Sequence, residues 1–298
     1  MTAQHRSSRR TRANAYGAHR INQHERDAIP TPFDHTLLEI ERVHAIASYP
    51  ALYKIADLIP DRPANSPGRP AHYPPWVSVI HRALQGVFGS ANMASRVMGN
   101  SEYWQMFRDQ AAKFGKTARA EPPRRHHHVY AQERLDAHVD ALHQGMIDAA
   151  ATLAHQLGCL RPDKRVSRTK PSRGQFVTAD GTVLAAPERP STTEKKKAKG
   201  RATVHAGFEV ERGEDSKAWS YGTKFAIMST RPDNTRNLRV VLDTMPVPPG
   251  KGYKGEAGIA LKMLDRLNAR PDLRIDGICY DGAFRGTHID HVMKRGMI

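Results

Sequence analysis

The sequence predicts a protein of the α+β or α/β class, in which an N-terminal all-helical domain precedes an incomplete mixed sheet with helices. Apolar residues recur at helical spacing from about residue 34 to residue 158. From residue 175 onward, β-branched and aromatic residues form runs typical of strands. Two of these runs, Phe176–Leu184 and Ile278–Phe284, each carry one aspartate at or near the end of the apolar stretch, Asp180 and Asp281. The chain therefore changes from helix to sheet, and its most distinctive carboxylates lie in the sheet.

Residues 1–33 are predicted to be a disordered basic arm, because they contain several arginines and almost no apolar periodicity. The whole chain has 46 Lys+Arg against 30 Asp+Glu, a net charge of +16. Such a charge favours a polyanionic partner. Two interpretations of the arm stay open, a solvated tail or a segment whose Arg9, Arg10 and Arg12 follow DNA phosphates.

Residues 34–115 are predicted to form a helical DNA-binding domain. A Pro- and Gly-rich connector, residues 60–70, separates its first helical stretch from the next, which begins at Tyr73-Pro-Pro-Trp. Short helices with tight turns are typical of a helix-turn-helix, although a small all-helical packing domain fits the spacing equally well. Arg82 and Arg96 are the candidate phosphate contacts in this region.

Residues 116–173 are predicted to contain one long amphipathic helix, over 127–158, and a basic linker. The seven-residue apolar spacing of this helix favours packing against other helices of the same chain. Packing against a second copy in a homodimer is the less favoured alternative. The tract His126–His128 precedes this helix, and solvated histidines are favoured there over a metal site, because consecutive helical residues point in different directions.

Residues 174–298 are predicted to form part of an RNase H-like domain. Three strands, Gln175–Ala186, Ala202–Glu211 and Trp219–Thr230, suggest an antiparallel meander, with the basic run Lys195, Lys196 and Lys197 between the first two. A helix over Glu256–Arg270, a strand over Leu273–Phe284 and a helix over His288–Lys294 follow. In an RNase H-like sheet the first and fourth strands are neighbours, so we expect Asp180 to lie near Asp281. Two such carboxylates can hold two Mg²⁺ ions about 4 Å apart.

Several short motifs, taken in order, resemble the DDE transposases of bacterial insertion sequences. The resemblance covers roughly residues 65–298. The motifs that carry it are Gly68-Arg-Pro70 with Tyr73-Pro-Pro-Trp, Asp180-Gly-Thr, Glu214-Asp215-Ser-Lys-Ala-Trp219, Tyr221-Gly-Thr-Lys-Phe225 and Tyr280-Asp281-Gly-Ala-Phe284.

This resemblance implies DNA cleavage and strand transfer, in which a water and then a DNA 3′-hydroxyl attack a phosphodiester. It implies Asp180 and Asp281 as ligands of two Mg²⁺ (or Mn²⁺) ions and double-stranded DNA, element ends and target, as the partner. Further DNA contacts are expected at Lys195, Lys196, Lys197 and Lys224, and a homodimer is possible by geometry.

The chain departs from the family at the third acidic residue, a glutamate on a later helix. No glutamate follows Asp281, and Asp290 is a weak substitute that more often is a solvated helix residue. The expectation is therefore a C-terminally truncated transposase that binds DNA and cuts it poorly. The alternative is a catalytically inactive, transposase-derived DNA-binding protein.

Other classes fit less well. The pattern Gly250-Lys-Gly-Tyr-Lys-Gly255 has dinucleotide-binding spacing, but prolines precede it where a strand should lead directly into the loop. No run of eighteen apolar residues occurs, so a membrane partner is not expected. The expected location is cytoplasmic and nucleoid-associated. Only Cys159 and Cys279 are present, which excludes a disulfide framework and a Cys-based zinc site.

Overall fold

The computed structural model of the chain describes residues 35–60, 71–164, 169, 171–186, 205–212, 217–233, 238–248, 255–280 and 284–297. The chain divides into two compact units, which meet in sequence between Gly145 and Met146. The first unit is helical in its described residues, and the second combines a mixed sheet with helices. This composition agrees with the predicted α+β class. The predicted basic arm and the run Lys195–Lys197 lie outside the described residues.

The helical unit is built from short helices joined by tight turns. In chain order they are α1 His35–Ser48, α2 Pro50–Ala56, α3 Pro75–Phe88, α4 Ala91–Gly99, α5 Ser101–Ala112 and α6 Arg125–Asp136, with α7 Val139–Gln156 crossing the unit boundary. Gly89 ends α3 at φ +62°, a conformation that costs glycine little. The Asn100 side chain then caps α5 by accepting hydrogen bonds from the backbone N–H groups of Glu102 and Tyr103.

Aromatic side chains form the centre of the helical unit. The rings of Trp76 and Trp104 stack with centroids 5.8 Å apart, and both residues are almost fully buried. Tyr53 packs against Trp76, and its hydroxyl donates to the carbonyl oxygen of Ala47 at 2.6 Å. Burial of such large rings supplies much of the apolar area that holds short helices together.

The helix predicted over 127–158 is two helices, α6 and α7, separated by a turn at Ala137 and His138. The apolar period runs across the break, but it does not mark one continuous buried face. Leu135 is buried, whereas Val139 and Met146 are 59% and 52% exposed. The periodicity was therefore sufficient to predict helix and insufficient to predict a single one.

The second unit contains a five-stranded sheet of β1 Phe176–Ala185, β2 Gly207–Arg212, β3 Lys217–Thr230, β4 Val240–Pro246 and β5 Gly277–Tyr280. Strand β3 is the longest and pairs antiparallel with β1, β2 and β4. Strand β5 pairs parallel with β1, through partners that run from Phe176 with Gly277 to Ala179 with Tyr280. The first strand therefore pairs with the third and not with the second, which differs from the predicted meander. Strand β4 was not predicted.

Helix α8, Gly255–Asn268, packs on one face of this sheet, and α9, Gly286–Met293, follows β5. One core cluster joins α8 to the strands through buried side chains that include Val177, Ala179, Ala226, Met228, Ile259, Met263 and Leu264. Asp243 on β4 is buried and receives a hydrogen bond from Arg266 of α8 at 2.6 Å. The packing of α8 thus fixes the position of its first turn relative to β1. None of the described helices has the length and apolar character needed to cross a membrane.

Candidate active site

Asp180 lies on β1 immediately after the last residue that pairs with β5. That final pair is Ala179 with Tyr280, so the next residues along the chain are Asp180 and Asp281. Asp180 is exposed, and its Oδ1 accepts a hydrogen bond from the Gly181 N–H at 2.8 Å. Asp281 lies outside the described residues. The parallel pairing of β1 with β5 is the arrangement on which the expected proximity of the two aspartates depends.

Gly181 has no side chain, and the carboxylate of Glu256 on α8 occupies the space that a side chain would take on β1. A Cβ atom built on Gly181 would lie 2.5 Å from the carboxyl carbon of Glu256, far inside van der Waals contact. Alternation along the strand puts Ala179 and Gly181 on the face that α8 covers, and Asp180 on the other face. The missing side chain therefore lets Glu256 reach the strand backbone next to Asp180.

Glu256 has a partner on each carboxylate oxygen. The ammonium of Lys224 lies 2.5 Å from Oε2, and the hydroxyl of Tyr280 donates a hydrogen bond to Oε1. The side chains of Lys224 and Glu256 are 31% and 20% exposed, so the pair is partly shielded from water. Glu256 also lies in the first turn of α8, where the helix dipole favours a negative charge.

Burial raises the pKa of the Tyr280 phenol, and its hydrogen bond to Glu256 raises it further. The negative charges of Glu256 and Asp180 add to this rise in pKa. The phenol therefore remains protonated at neutral pH and acts as a donor.

Sequence reasoning missed Glu256 because the 75 intervening residues contain three other strands. Its side chain approaches β1 only after α8 has packed on the sheet. Two local signals were present, a glycine directly after Asp180 and an acidic residue in the first turn of a helix. Neither signal identifies its partner without the tertiary arrangement.

The other sequence candidates lie elsewhere or beyond the described part of the chain. Arg82 is on α3, where its Nη1 donates to Gln85 Oε1 at 3.0 Å, and Arg96 is exposed on α4. Both belong to the helical unit. Asp290 is exposed on α9. The residues outside the described part are Arg9, Arg10, Arg12, Lys195, Lys196, Lys197 and the glycine pattern up to Lys254.

The predicted solvation of the histidine tract is correct for His126, which is exposed, and wrong for His128. His128 is buried, and its ring stacks on that of His81 with centroids 3.7 Å apart. The Nδ1 of His127 accepts a hydrogen bond from the backbone N–H of Arg124 at the start of α6. Burial lowers the pKa of His81 to about 4 and that of His128 to about 3. Both rings are therefore neutral packing elements at pH 7.

Among the described residues, no group of three or more His, Cys, Asp or Glu side chains is positioned to hold a metal ion. The carboxylates of Asp180 and Glu256 are hard oxygen ligands of the kind that Mg²⁺ prefers, but they lie on opposite faces of β1. Comparison with known proteins gives no family assignment, since no protein-family model, curated protein or solved structure matches the chain.

Proposed function

We propose that this chain is a transposase-type enzyme that cleaves and joins DNA strands with the help of divalent metal ions. The single observation that supports this most is the parallel pairing of β1 with β5, which ends one residue before Asp180 and one before Asp281. Strands β4, β3, β1 and β5 are linked in that order, with β5 alone parallel to β1. This order is the one expected of an RNase H-like sheet. Strand β2 is an additional strand that pairs with the first part of β3, Lys217–Gly222.

The proposed metal ligands are Asp180 and Asp281, which directly follow the paired ends of β1 and β5. Glu256 lies on the other face of β1, where Lys224 and Tyr280 pair with its two oxygens, and would contribute by holding α8 against the strand that carries Asp180. Two bound Mg²⁺ ions would stabilise the attacking and leaving oxygens of a phosphodiester. Tyr280 holds Glu256 in place, and the bare backbone of Gly181 leaves room for it.

Double-stranded DNA is the proposed substrate, because the chain carries a net charge of +16 and Asp180 and Asp281 are carboxylates of the kind used in metal-assisted phosphoryl transfer. Positive charge around the site would position the phosphates of DNA. Lys224 belongs to the site itself, and the basic residues predicted from the sequence, in the arm and in the helical unit, would add affinity without sequence preference.

The direct test is the nicking of supercoiled plasmid by the purified chain in Mg²⁺ or Mn²⁺, with chelator as the blank. We expect Asp180→Asn to lower the rate about 10²-fold or more, and Glu256→Gln about tenfold to 100-fold. Asp290→Asn is the matched control, because it removes an exposed carboxylate from α9 and should leave the rate unchanged. Equal nicking by the wild type and by Asp180→Asn would refute the proposal.

A DNA-binding protein without strand chemistry is the second candidate. It is favoured by the lack of a three-residue metal-ligating group in the described part of the chain. In that case DNA binding should fall steeply with salt and should not respond to Asp180→Asn or to Mg²⁺. Fluorescence anisotropy with a labelled duplex, at several salt concentrations, separates this candidate from the enzyme.

A further inference from the structure

The helical unit contains a cavity of about 770 Å³ between the start of α3 and helix α6. This volume falls within the range of about 300–1,000 Å³ that is typical of small-molecule sites. Buried Val77 and Leu135 contribute apolar surface to its lining, and the rings of Tyr73, His127 and Tyr130 contribute aromatic surface. The cavity therefore has the size and the lining of a site for a flat organic group.

Aromatic rings of this lining form a continuous series of contacts. The ring centroids of Tyr73 and His127 are 4.9 Å apart, and those of His127 and His126 are 4.0 Å apart. The series ends at Tyr130, whose ring centroid lies 6.4 Å from that of His126. Tyr130 is 77% exposed, more than any other large apolar side chain in the described part of the chain. An exposed ring that also lines a cavity offers a face on which another flat ring can stack.

Guanidinium groups flank this series of rings. Arg124 and Arg125 are exposed at the start of α6, immediately before the histidines. Arg119 is exposed as well, and its guanidinium carbon lies 6.0 Å from the centre of the Tyr73 ring. Its Nη1 lies 2.9 Å from Nδ1 of His72. Positive charge beside stacking rings is the combination that binds single-stranded nucleic acid, because the rings hold the base and the charge holds the phosphate.

We propose that this cavity binds an unpaired base of single-stranded DNA, which stacks on Tyr130 while Arg124 and Arg125 contact the neighbouring phosphates. Bases within a duplex are already stacked on one another, so only an unpaired base can present its face to the ring. The inference goes beyond the proposed strand cleavage, because it requires neither Asp180 nor a metal ion. It assigns the helical unit the binding of DNA whose bases are unpaired.

The first experiment measures fluorescence anisotropy with a labelled single strand of about 12 nucleotides. The salt concentration is set high enough to suppress the charge-driven affinity of a basic chain. Tyr130→Ala should weaken binding about tenfold, and Tyr130→Phe, which keeps the ring, should bind like the wild type. Tyr49→Ala is the matched control, because it removes an exposed tyrosine of the same unit from outside the cavity lining. Its affinity should equal that of the wild type.

The second experiment uses the wild-type chain and does not depend on the folding of a variant. A single strand that carries 5-iododeoxyuridine is irradiated in the complex, so that the base becomes attached to an aromatic side chain next to it. Trypsin cleaves after arginine, and the peptide 126–134 contains every ring of α6 from His126 to Tyr130. We expect the base on this peptide. Attachment to other peptides alone would overturn the inference.

Further comparisons identify the source of the base. A duplex of the same sequence should bind equally well to the wild type and to Tyr130→Ala, and an equal loss for duplex and single strand would contradict the binding of an unpaired base. Free dAMP is the competitor for the single strand. Displacement of the strand by micromolar dAMP would assign the cavity to a free nucleotide and overturn the binding of DNA there.

Failure of this inference is distinguishable from failure of the proposed function. Equal affinities of the wild type and Tyr130→Ala for the single strand overturn the inference, and plasmid nicking that depends on Asp180 would still support the proposed function. Weaker binding by Tyr130→Ala, together with attachment to the peptide 126–134, supports the inference even if Asp180→Asn leaves nicking unchanged.

Discussion

Two clusters of titratable side chains, one in each unit, differ in their environments. In the helical unit His81 and His128 are buried as stacked rings, and burial keeps both neutral by lowering their pKa values. In the sheet unit Glu256 is partly exposed and has a cationic and a phenolic partner, and Asp180 is exposed on the other face of β1. Neutral buried polar groups serve packing, whereas charged groups that keep access to solvent can exchange partners. The proposed strand chemistry therefore depends on the sheet unit, and the histidine pair of the helical unit contributes to its stability.

The largest effect should come from the aromatic centre of the helical unit. Trp104→Ala removes a ring that stacks on Trp76 and is almost fully buried, and we expect it to lower the free energy of unfolding by about 3–5 kcal/mol. Urea unfolding followed by circular dichroism measures this loss. Tyr130→Ala, at a position 77% exposed, is the control and should cost less than about 1 kcal/mol. Equal losses in both variants would show that the stacked pair is not the centre of this unit.

The next effect concerns pH and distinguishes neutral histidines from charged ones. The pKa values of His81 and His128 are about 4 and about 3 in the folded chain, against 6.5 as the ordinary value. Between these limits the unfolded chain binds more protons, so stability falls as the pH decreases below about 6.5. Between pH 7 and pH 5, each of the two histidines should lower the free energy of unfolding by about 2 kcal/mol.

His128→Phe tests this account, because phenylalanine keeps the stacked ring and cannot be protonated. Urea unfolding at pH 5 and at pH 7 should show that the variant loses about 2 kcal/mol less than the wild type over this interval. His44→Phe, at an exposed position on α1, should retain the pH dependence of the wild type. If His128→Phe retains it as well, the stacked pair is not the source of the acid sensitivity.

The sequence predicted the order of helices and most strands, because those depend on local periodicity and β-branched runs. It did not predict β4, since Pro246 at its end and Pro248 and Pro249 after it are typical of a connector. It proposed Asp180 as a site residue from the apolar run before it, and it did not predict the approach of Glu256 to β1, which depends on the packing of α8. The burial of His128 was missed for the same reason, because only its stacking on His81, contributed by another helix, sets its environment.

A smaller effect is expected at Gly181, the residue of β1 against which the Glu256 side chain lies. Gly181→Ala adds a Cβ within 2.5 Å of the Glu256 carboxylate, which must then move away from β1. We expect the plasmid-nicking rate to fall about tenfold, equivalent to about 1.4 kcal/mol. Gly207→Ala, where an added Cβ meets nothing within 4 Å, is the matched control in β2. A normal rate in Gly181→Ala would mean that the carboxylate has no part in the reaction.

The smallest effect should be that of the Tyr280 hydroxyl. Tyr280→Phe removes one hydrogen bond to Glu256 and leaves the Lys224 pair, so Mn²⁺ affinity should decrease only about two- to fivefold. If Tyr280 acts only by holding Glu256, the same change in a Glu256→Gln background should have no further effect on affinity. This double-mutant cycle isolates the contact, because both side chains lie in one small network. An equal loss in both backgrounds would assign Tyr280 a role that is independent of Glu256, and the sheet unit would then hold two separate determinants of metal binding.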